Sequence, residues 1–441
     1  MSNDYEKLRD YVFGLEILDT HEHLPAREAD RPNDTDILAE YLIHYFSCDL
    51  VSAGLTVEQL NFVRDPRKPL AKRWQVAEPY WNAARHTGYG RALDITARDL
   101  YGFDRIDGKT ISALNEAFVA ARAAGGVYDR VLKRMSKIRL SILDSNLDCD
   151  RKFFRSTLRI DDIVMTSNRT QLDALARRAG MTAVHTLADL EEACERIVDD
   201  AFARGAVCLK CGLAYYRSLR FEKVSAADAE AEFNTLFADA NVGPSWEAQR
   251  GRTSKMQDYL MHHFCWLADR RGLVFQVHAG IQEGTGNYIY HSDPALLSNL
   301  FMEYGNIKFD VFHIGYPYQQ TLSALAKNFR NVFIDFCWAN IISPTASVSA
   351  MVEYLDAVPA NKVSGFGGDY CFIDAVYGHQ FLARENVARA MAIKIDQGVF
   401  DLDRAKQVAK MLLHDNPAAL FGLAEPTRAK PAARKAKAGR K

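Results

Sequence analysis

No stretch of this 441-residue chain approaches the ~20 consecutive apolar residues that a membrane-spanning helix needs, so no such span is expected. The opening residues, Met1-Ser2-Asn3-Asp4-Tyr5-Glu6-Lys7, lack the apolar core of a secretory signal, and a cytoplasmic protein is the expectation. Cysteine forms no framework. Cys48, Cys149, Cys194, Cys208, Cys211, Cys265, Cys337 and Cys371 are scattered, and Cys208/Cys211 has no second pair to complete a zinc knuckle. Reduced thiols are expected. A surplus of charge is missing as well: the net charge is −1. That figure hides a tail, 424–441, with seven Lys/Arg against one Glu, which leaves a body of about −7. The tail has nothing to build a core from and is expected to be disordered. An acidic body without a basic face argues against nucleic acid as a partner. The expected partner is a small-molecule substrate, with no membrane, and a homo-oligomer is compatible with the composition.

What the chain does contain is a long alternation. A first strand is predicted at about 15–19, followed by a strand-free helical insertion over about 25–137 that is dense in aromatic residues (Trp74, Tyr80, Trp81, Tyr89, Tyr101, Phe103). Helices are expected there at Asp36–Phe46, Lys72–His86, Ile111–Ala124 and Val127–Lys137. Seven further apolar runs follow, at Arg139–Asp144, Ile163–Thr166, Ala206–Lys210, Leu273–His278, Ile307–His313, Val332–Phe336 and Val363–Asp369, separated by helical stretches that include Glu247–Arg271. Strands alternating with helices imply parallel pairing. Eight such units predict a (β/α)8, TIM-like barrel over residues 1–423, with the insertion after strand one and the tail outside it.

In such a barrel the chemistry sits at the carboxyl ends of the strands. His21 and His23 end the first run, two apart and so on one face. Lys210 ends the fourth, His278 the fifth, His313 the sixth and Asp369 the eighth, while the seventh offers Asp335 and Trp338. The chain has 12 histidines, and four of them fall at predicted strand ends, which points to a metal site rather than to four satisfied core residues. Neutral imidazoles with one carboxylate hold a divalent ion and leave a position open. Such an ion acidifies water and polarises a carbonyl. Gly365, Gly367 and Gly368 allow backbone to approach a substrate closely.

The order His-x-His, His, His, Asp resembles the amidohydrolase superfamily. The ending Asp415-Asn416-Pro417-Ala418-Ala419-Leu420-Phe421-Gly422-Leu423 is similar to the close of the amidohydrolase-related family. Leu209-Lys210-Cys211 with Tyr215-Tyr216-Arg217, and His313-Ile314-Gly315-Tyr316-Pro317-Tyr318, look like the amidohydrolase domain of nodulin/glutamine-synthetase-like proteins. The helical insertion after His23 is more like uronate isomerase. The resemblance implies that His21, His23 and Asp369 bind metal, zinc first with manganese or iron as alternatives. It implies His278 as a further ligand, and His313 as a ligand or a substrate-side acid. Asp369, His313 and Lys210 are the catalytic candidates. Lys210 is read as a cation that orients an anionic substrate, although in binuclear superfamily members a lysine here is carboxylated and bridges two metals.

Arg217, with Arg220, is a candidate to fork onto a substrate carboxylate. Tyr216, Tyr290 and Tyr316 are the other substrate-binding candidates, with His291 beside Tyr290 in a glycine-rich segment. Arg91, Arg98 and Tyr101 are placed at the barrel mouth and His379 at the pocket wall, while His262 and His263 are read as structural. The expected activity is metal-dependent hydrolysis of an amide, lactone or ester bond in a small carboxylate-bearing molecule. The alternative is a uronate-isomerase-like aldose/ketose isomerase, and a metal-dependent decarboxylase is a third option.

Overall fold

Eight short runs, separated by helical segments everywhere except between the second and third, pair side by side as β1 (Ile17–Glu22), β2 (Ile138–Leu143), β3 (Phe154–Arg159), β4 (Ala206–Cys211), β5 (Val274–Val277), β6 (Lys308–Val311), β7 (Val332–Asp335) and β8 (Val363–Ser364). The computed structural model describes residues 3–32, 34–237 and 254–424. The sheet order is the chain order and every neighbouring pair is parallel, the arrangement of a (β/α)8 barrel. Closure comes from the chain beyond β8. Thr20 N donates to Phe366 O (3.2 Å), Asp369 N to His21 O (2.7 Å) and His23 N to Tyr370 O (3.0 Å).

The third strand lies upstream of its predicted place. Phe154-Arg155-Ser156-Thr157-Leu158-Arg159 buries Ser156 and Thr157 and pairs with both neighbours. The apolar Ile163-Val164 instead belongs to a helical turn, Asp161–Val164, with Asp161 and Asp162 in its first turn. Acids at a helix N-terminus are favoured by the helix dipole. Of the predicted Glu247–Arg271 helix, Lys255–Arg271 is observed, opened by Ser254 accepting from Gln257 N; residues 247–253 lie outside the described residues, as do 425–441 of the basic tail.

Among its described residues the insertion is helical and free of strands, as its pattern predicts, and it holds two helices beyond the expected four, Val57–Arg64 and Gly88–Tyr101. The expected helix Asp36–Phe46 is two, Ile37–Tyr41 and Phe46–Ser52, broken around Tyr45. Asp36 caps the first by accepting from Ala39 N. Thr56 and Gln59 form a reciprocal capping box on the next, Val57–Arg64. The helix Gly88–Tyr101 then packs so closely on the barrel helix Ile373–Asp396 that a Cβ on Gly378 would lie within 2.6 Å of Thr96 Oγ1 and nearer still to the Ala92 carbonyl. One apolar cluster joins insertion and barrel: Trp81, Phe118, Leu42 and Tyr45 pack with Phe372, Ile341 and Trp338. No helix among the described residues is long and apolar enough to cross a membrane.

Inside the barrel lies a polar layer. Gln276 of β5 donates its amide to Asp310 Oδ2 of β6 (3.3 Å) and to Thr20 O of β1 (3.0 Å), and Asp310 shares a hydrogen bond with Asp335 of β7. Burial raises the Asp310 carboxyl to about 6, and burial with the Asp310 charge raises Asp335 well above its usual range. Two carboxylates this close in a dry interior hold a proton between them.

Two outcomes test this packing and this charge state. Gly378→Ala should cost about 1–3 kcal/mol of unfolding free energy by overpacking, read from urea denaturation. Gly14→Ala, where an added Cβ meets nothing, should stay within about 1 kcal/mol of the parent. For the dyad, both folded-state values lie above the ordinary 3.8, so the folded chain binds the proton more tightly than the unfolded chain. Its contribution to stability is therefore full below 3.8 and falls as pH rises through about 6. Asp335→Asn should flatten the stability–pH curve across that window; equal slopes in parent and variant would contradict a shared proton.

Candidate metal centre

The end of β1 sets the site. His21 is fully buried and His23 half-buried, with ring centroids 5.0 Å apart. His21 Nδ1–H donates to Gln276 Oε1 (3.2 Å), because the Gln276 amide nitrogen is already committed to Thr20 O and Asp310. That assignment leaves the lone pair on His21 Nε2, which is buried with no hydrogen-bond partner. Burial and the nearby Lys210 charge hold His21 well below its ordinary pKa, so it is neutral.

β5 and β6 repeat the pattern. His278 Nε2–H donates to Ile281 O (3.0 Å) and His313 Nδ1–H to Cys337 O (2.8 Å). Their remaining nitrogens, His278 Nδ1 and His313 Nε2, then face each other across 3.0 Å with a lone pair each. Burial and the neighbouring positive charges push His278 well down, and burial takes His313 to about 4, so no proton relieves the repulsion at neutral pH. Carbonyl and amide acceptors behind each imidazole are what orient metal-binding histidines.

Asp369 completes the set from beyond β8. Its Oδ1 stands 3.0 Å from His23 Nε2 and 3.9 Å from His21 Nε2, and its Oδ2 3.9 Å from His313 Nε2. Burial alone would raise its pKa, but the hydrogen bond and positive charge of His23, whose own pKa is raised beside it, hold it well below the usual carboxylate range. A second carboxylate, Asp144 just after β2, lies 3.6 Å from His23 Nδ1 and accepts from Arg159 Nη1 (2.7 Å) and Thr157 Oγ1 (3.1 Å). Burial opposes its ionisation, yet the positive charges of His23 and Arg159 hold it low as well. His21, His23 and Asp144 form one convergent donor group, and His313, Cys337 and Asp369 a second, each with its ligand atoms within 4.8 Å of one another. Neutral imidazoles with orphaned lone pairs beside ionised carboxylates fit a divalent cation.

Lys210 is buried with Nζ 3.5 Å from the Phe312 ring centroid, a cation–π contact, and burial lowers its pKa. A cavity of about 1120 Å³ opens beside the centre over the ends of β2 to β5, lined by Ser145, Arg159, Arg178, Tyr215, Tyr216 and Glu283 among others. Tyr216 thus stands where the sequence places it. Other candidates do not. Arg217 is buried and donates to Asp258 (2.6 Å), Gln257 (3.1 Å) and two backbone carbonyls, so it anchors the helix Lys255–Arg271 rather than a substrate. Arg220 is exposed and pairs with Glu222. Tyr290 is 63% exposed and packs on His291 and Tyr288, away from the cavity wall, and Tyr316 is outside that wall too. Arg98 pairs with Asp99 and Tyr101 donates to Asp374 (2.6 Å), while Arg91 sits half-buried outside the cavity lining. His379 reaches Gly368 O (3.1 Å) from behind the glycine loop. His262 bonds Tyr304 and Phe221, a structural role as expected.

The residues that sequence reasoning passed over are Asp144, Arg159, Gln276, Cys337 and, from the insertion, Tyr45. Tyr45 donates to Asp369 O (2.5 Å) and stacks on Trp338 at 4.5 Å. Asp144 ends the second predicted strand just as His21 and His23 end the first, so the same strand-end rule would have found it. Gln276 stands two residues before His278 and shares its face.

Gln276→Leu removes the acceptor that fixes the His21 tautomer. It should weaken divalent-metal binding roughly 10–100-fold in a chelator-competition titration. Unchanged affinity would mean that His21 is not a ligand or is oriented by something else.

The amidohydrolase family model matches residues 161–423, more than half of the chain. Protein fluG of Emericella nidulans is 23% identical over 236 residues, which are 52% of this chain and 27% of that protein, so the chain spans about a quarter of that relative's length. Among solved structures, the uronate isomerase of Thermotoga maritima superposes with a TM-score of 0.77 at 15% identity, covering 96% of this chain and 98% of the other. The glucuronate isomerase of Caulobacter crescentus gives 0.75 at 18%, covering 98% and 96%. A putative metal-dependent hydrolase of Lactobacillus casei gives 0.63 at 18%, covering 94% and 97%. The sequence match and the barrel agree: this chain belongs to the amidohydrolase family.

Proposed function

We propose that this chain is a metal-dependent hydrolase that adds water across an amide, lactone or ester bond of a small carboxylate-bearing substrate. One observation carries the reading: the bare nitrogens of His21, His278 and His313 and the ionised carboxylate of Asp369 converge, next to Tyr215 and Arg159 of the cavity wall, which touch His278 and Asp144. His21, His23, His278 and Asp369 would hold the ion, zinc first by their nitrogen–oxygen donor set. When bound, it supplies Lewis acidity to a water and a carbonyl.

The chain's own groups do the rest. Asp369, ionised and turned with Oδ2 towards His313, accepts the proton of the attacking water and returns it to the departing nitrogen or oxygen. The hydroxyl stays on the acyl carbon, so atoms and charge balance. His313, neutral and fixed by Cys337 O, keeps the imidazole face of the site in place. Lys210, at the end of β4, offers a positive charge for the carbonyl oxygen or a substrate carboxylate.

A second reading, sugar-acid isomerisation, is favoured by the superposition of uronate isomerases over nearly the whole chain, insertion included. Fold alone does not choose between them. Reaction of metal-loaded protein with uronates, lactones and N-acyl amides in ¹⁸O-labelled water separates the two. Hydrolysis places label in the carboxylate product, whereas a product of unchanged mass with C1–C2 proton transfer would replace the hydrolase reading with the isomerase. Asp369→Asn should lower turnover about 10²–10⁴-fold while metal content falls far less.

A further inference from the structure

One donor at the centre lies outside the histidine–aspartate pattern. Cys337 follows β7 and is fully buried. Its backbone is pinned on both sides: the amide donates to Asp335 Oδ1 (2.7 Å) and the carbonyl accepts from His313 Nδ1 (2.8 Å). The side chain is thereby directed to the site, where Sγ, an imidazole nitrogen of His313 and a carboxylate oxygen of Asp369 lie within 4.8 Å of one another, all buried. Ligands of one tetrahedral ion with bonds of about 2.0–2.3 Å stand a little over 3 Å apart, so small rotamer shifts bring the three donors to one point.

Two further observations bear on this. Position 367 is glycine, and a Cβ there would sit 2.8 Å from Cys337 Cβ and 2.9 Å from Sγ, so the loop after β8 leaves the space the thiol occupies. His313 Nε2, the nitrogen not committed to Cys337 O, lies 3.0 Å from His278 Nδ1 and 3.9 Å from Asp369 Oδ2. Cys337 is also the one cysteine, among the described residues, that joins a convergent donor group.

We propose that Cys337 is a metal ligand, its thiolate joining His313 and Asp369 to hold a thiophilic divalent ion on the β6–β8 side of the centre. The inference rests on the metal-centre reading above. Forming the sulfur–metal bond breaks the S–H bond and releases that proton to solvent, with no change of oxidation state. The other donor group, His21, His23 and Asp144, is nitrogen and oxygen only. A thiolate selects Zn²⁺, Co²⁺ or Cd²⁺ over Mg²⁺ and Mn²⁺.

The test is the absorption spectrum of the full chain after Co²⁺ is loaded into chelator-stripped protein. The parent should show a thiolate-to-Co²⁺ charge-transfer band in the near ultraviolet beside the visible d–d bands. Cys337→Ser, which keeps the size, should lose the charge-transfer band, keep d–d absorption and bind Zn²⁺ weaker by roughly 10-fold or more. Cys265→Ala, a buried cysteine on a distant helix, should keep the band. A parent that binds Co²⁺ without the band overturns the proposal and leaves the metal centre standing. A parent that binds no Co²⁺ at all overturns both. If Cys337→Ser does not fold, the parent spectrum alone decides.

Discussion

The seam between β8 and β1 is where the barrel and the site become the same object. β8 pairs with β7 over only two residues, and the ring is closed by the backbone of Phe366 to Tyr370 bonding Thr20, His21 and His23. The peptide that donates from Asp369 to His21 O is the one that carries the Asp369 carboxylate to the histidines. Asp369 takes φ +55 there, a left-handed conformation that costs a non-glycine residue about 1–2 kcal/mol. Its amide bond to His21 and the Tyr45 hydroxyl on its carbonyl compensate. Before it, Gly368 lets the chain pass over Glu22, whose carboxylate would overlap any Cβ. A change that loosened this seam would disturb closure, the docking of the insertion and the ligand set together.

Charge is arranged around that seam in two tiers. Asp144 and Asp369, at the strand ends, are held ionised by His23 and by Arg159. Beneath and beside them, Asp19 with Glu22 and Asp310 with Asp335 are pushed up by burial, and Glu22 and Asp335 also by the charges of their partners. Asp19 still accepts from Gly368 N, His21 N and Ser141, so it fixes the loop after β8 and the end of β1. Holding protons, the inner pairs supply geometry with little net charge, while the outer carboxylates supply the charge a cation needs. Burying all six as anions would be prohibitive in a low-dielectric interior.

Much of this was written where a sequence can be read. His21, His23, His278, His313 and Asp369 stand at or just beyond strand ends, and residue type with position was enough to group them. The third strand was hidden because Ser156 and Thr157 are buried polar residues of the barrel wall, so β3 lacks the apolar run that the other strands display. With β3 misplaced, Arg159, its last residue, had no reason to be considered. Arg217 was misread for the opposite reason. Its partner Asp258 is 41 residues away, and no local pattern announces that pair. Cys337 and Tyr45 became functional candidates only through tertiary contact, one across β6–β8 and the other from a helical insertion whose register against the barrel no periodicity encodes.

The insertion also covers one side of the centre. Tyr45 stacks on Trp338 (4.5 Å) and Tyr89 (5.3 Å), and Tyr370 meets Tyr45 edge-on (5.0 Å), a layer of aromatic rings over the β7–β1 side of the barrel mouth. The open volume lies opposite, over β2 to β5, where Arg159 reaches from the cavity wall to Asp144 of the centre. Cys48 of the insertion donates to Glu283 at the rim of that same volume. The segments around Ser145–Asp148, Asp161–Met165, Tyr215–Tyr216 and Glu283–Asn287 line that volume, whereas His313, Cys337 and Asp369 lie in the loops of β6 to β8. The cavity wall and the candidate metal centre are thus carried by different loops of one barrel, and a barrel shared with uronate isomerases on one hand and a hydrolase on the other does not choose a reaction.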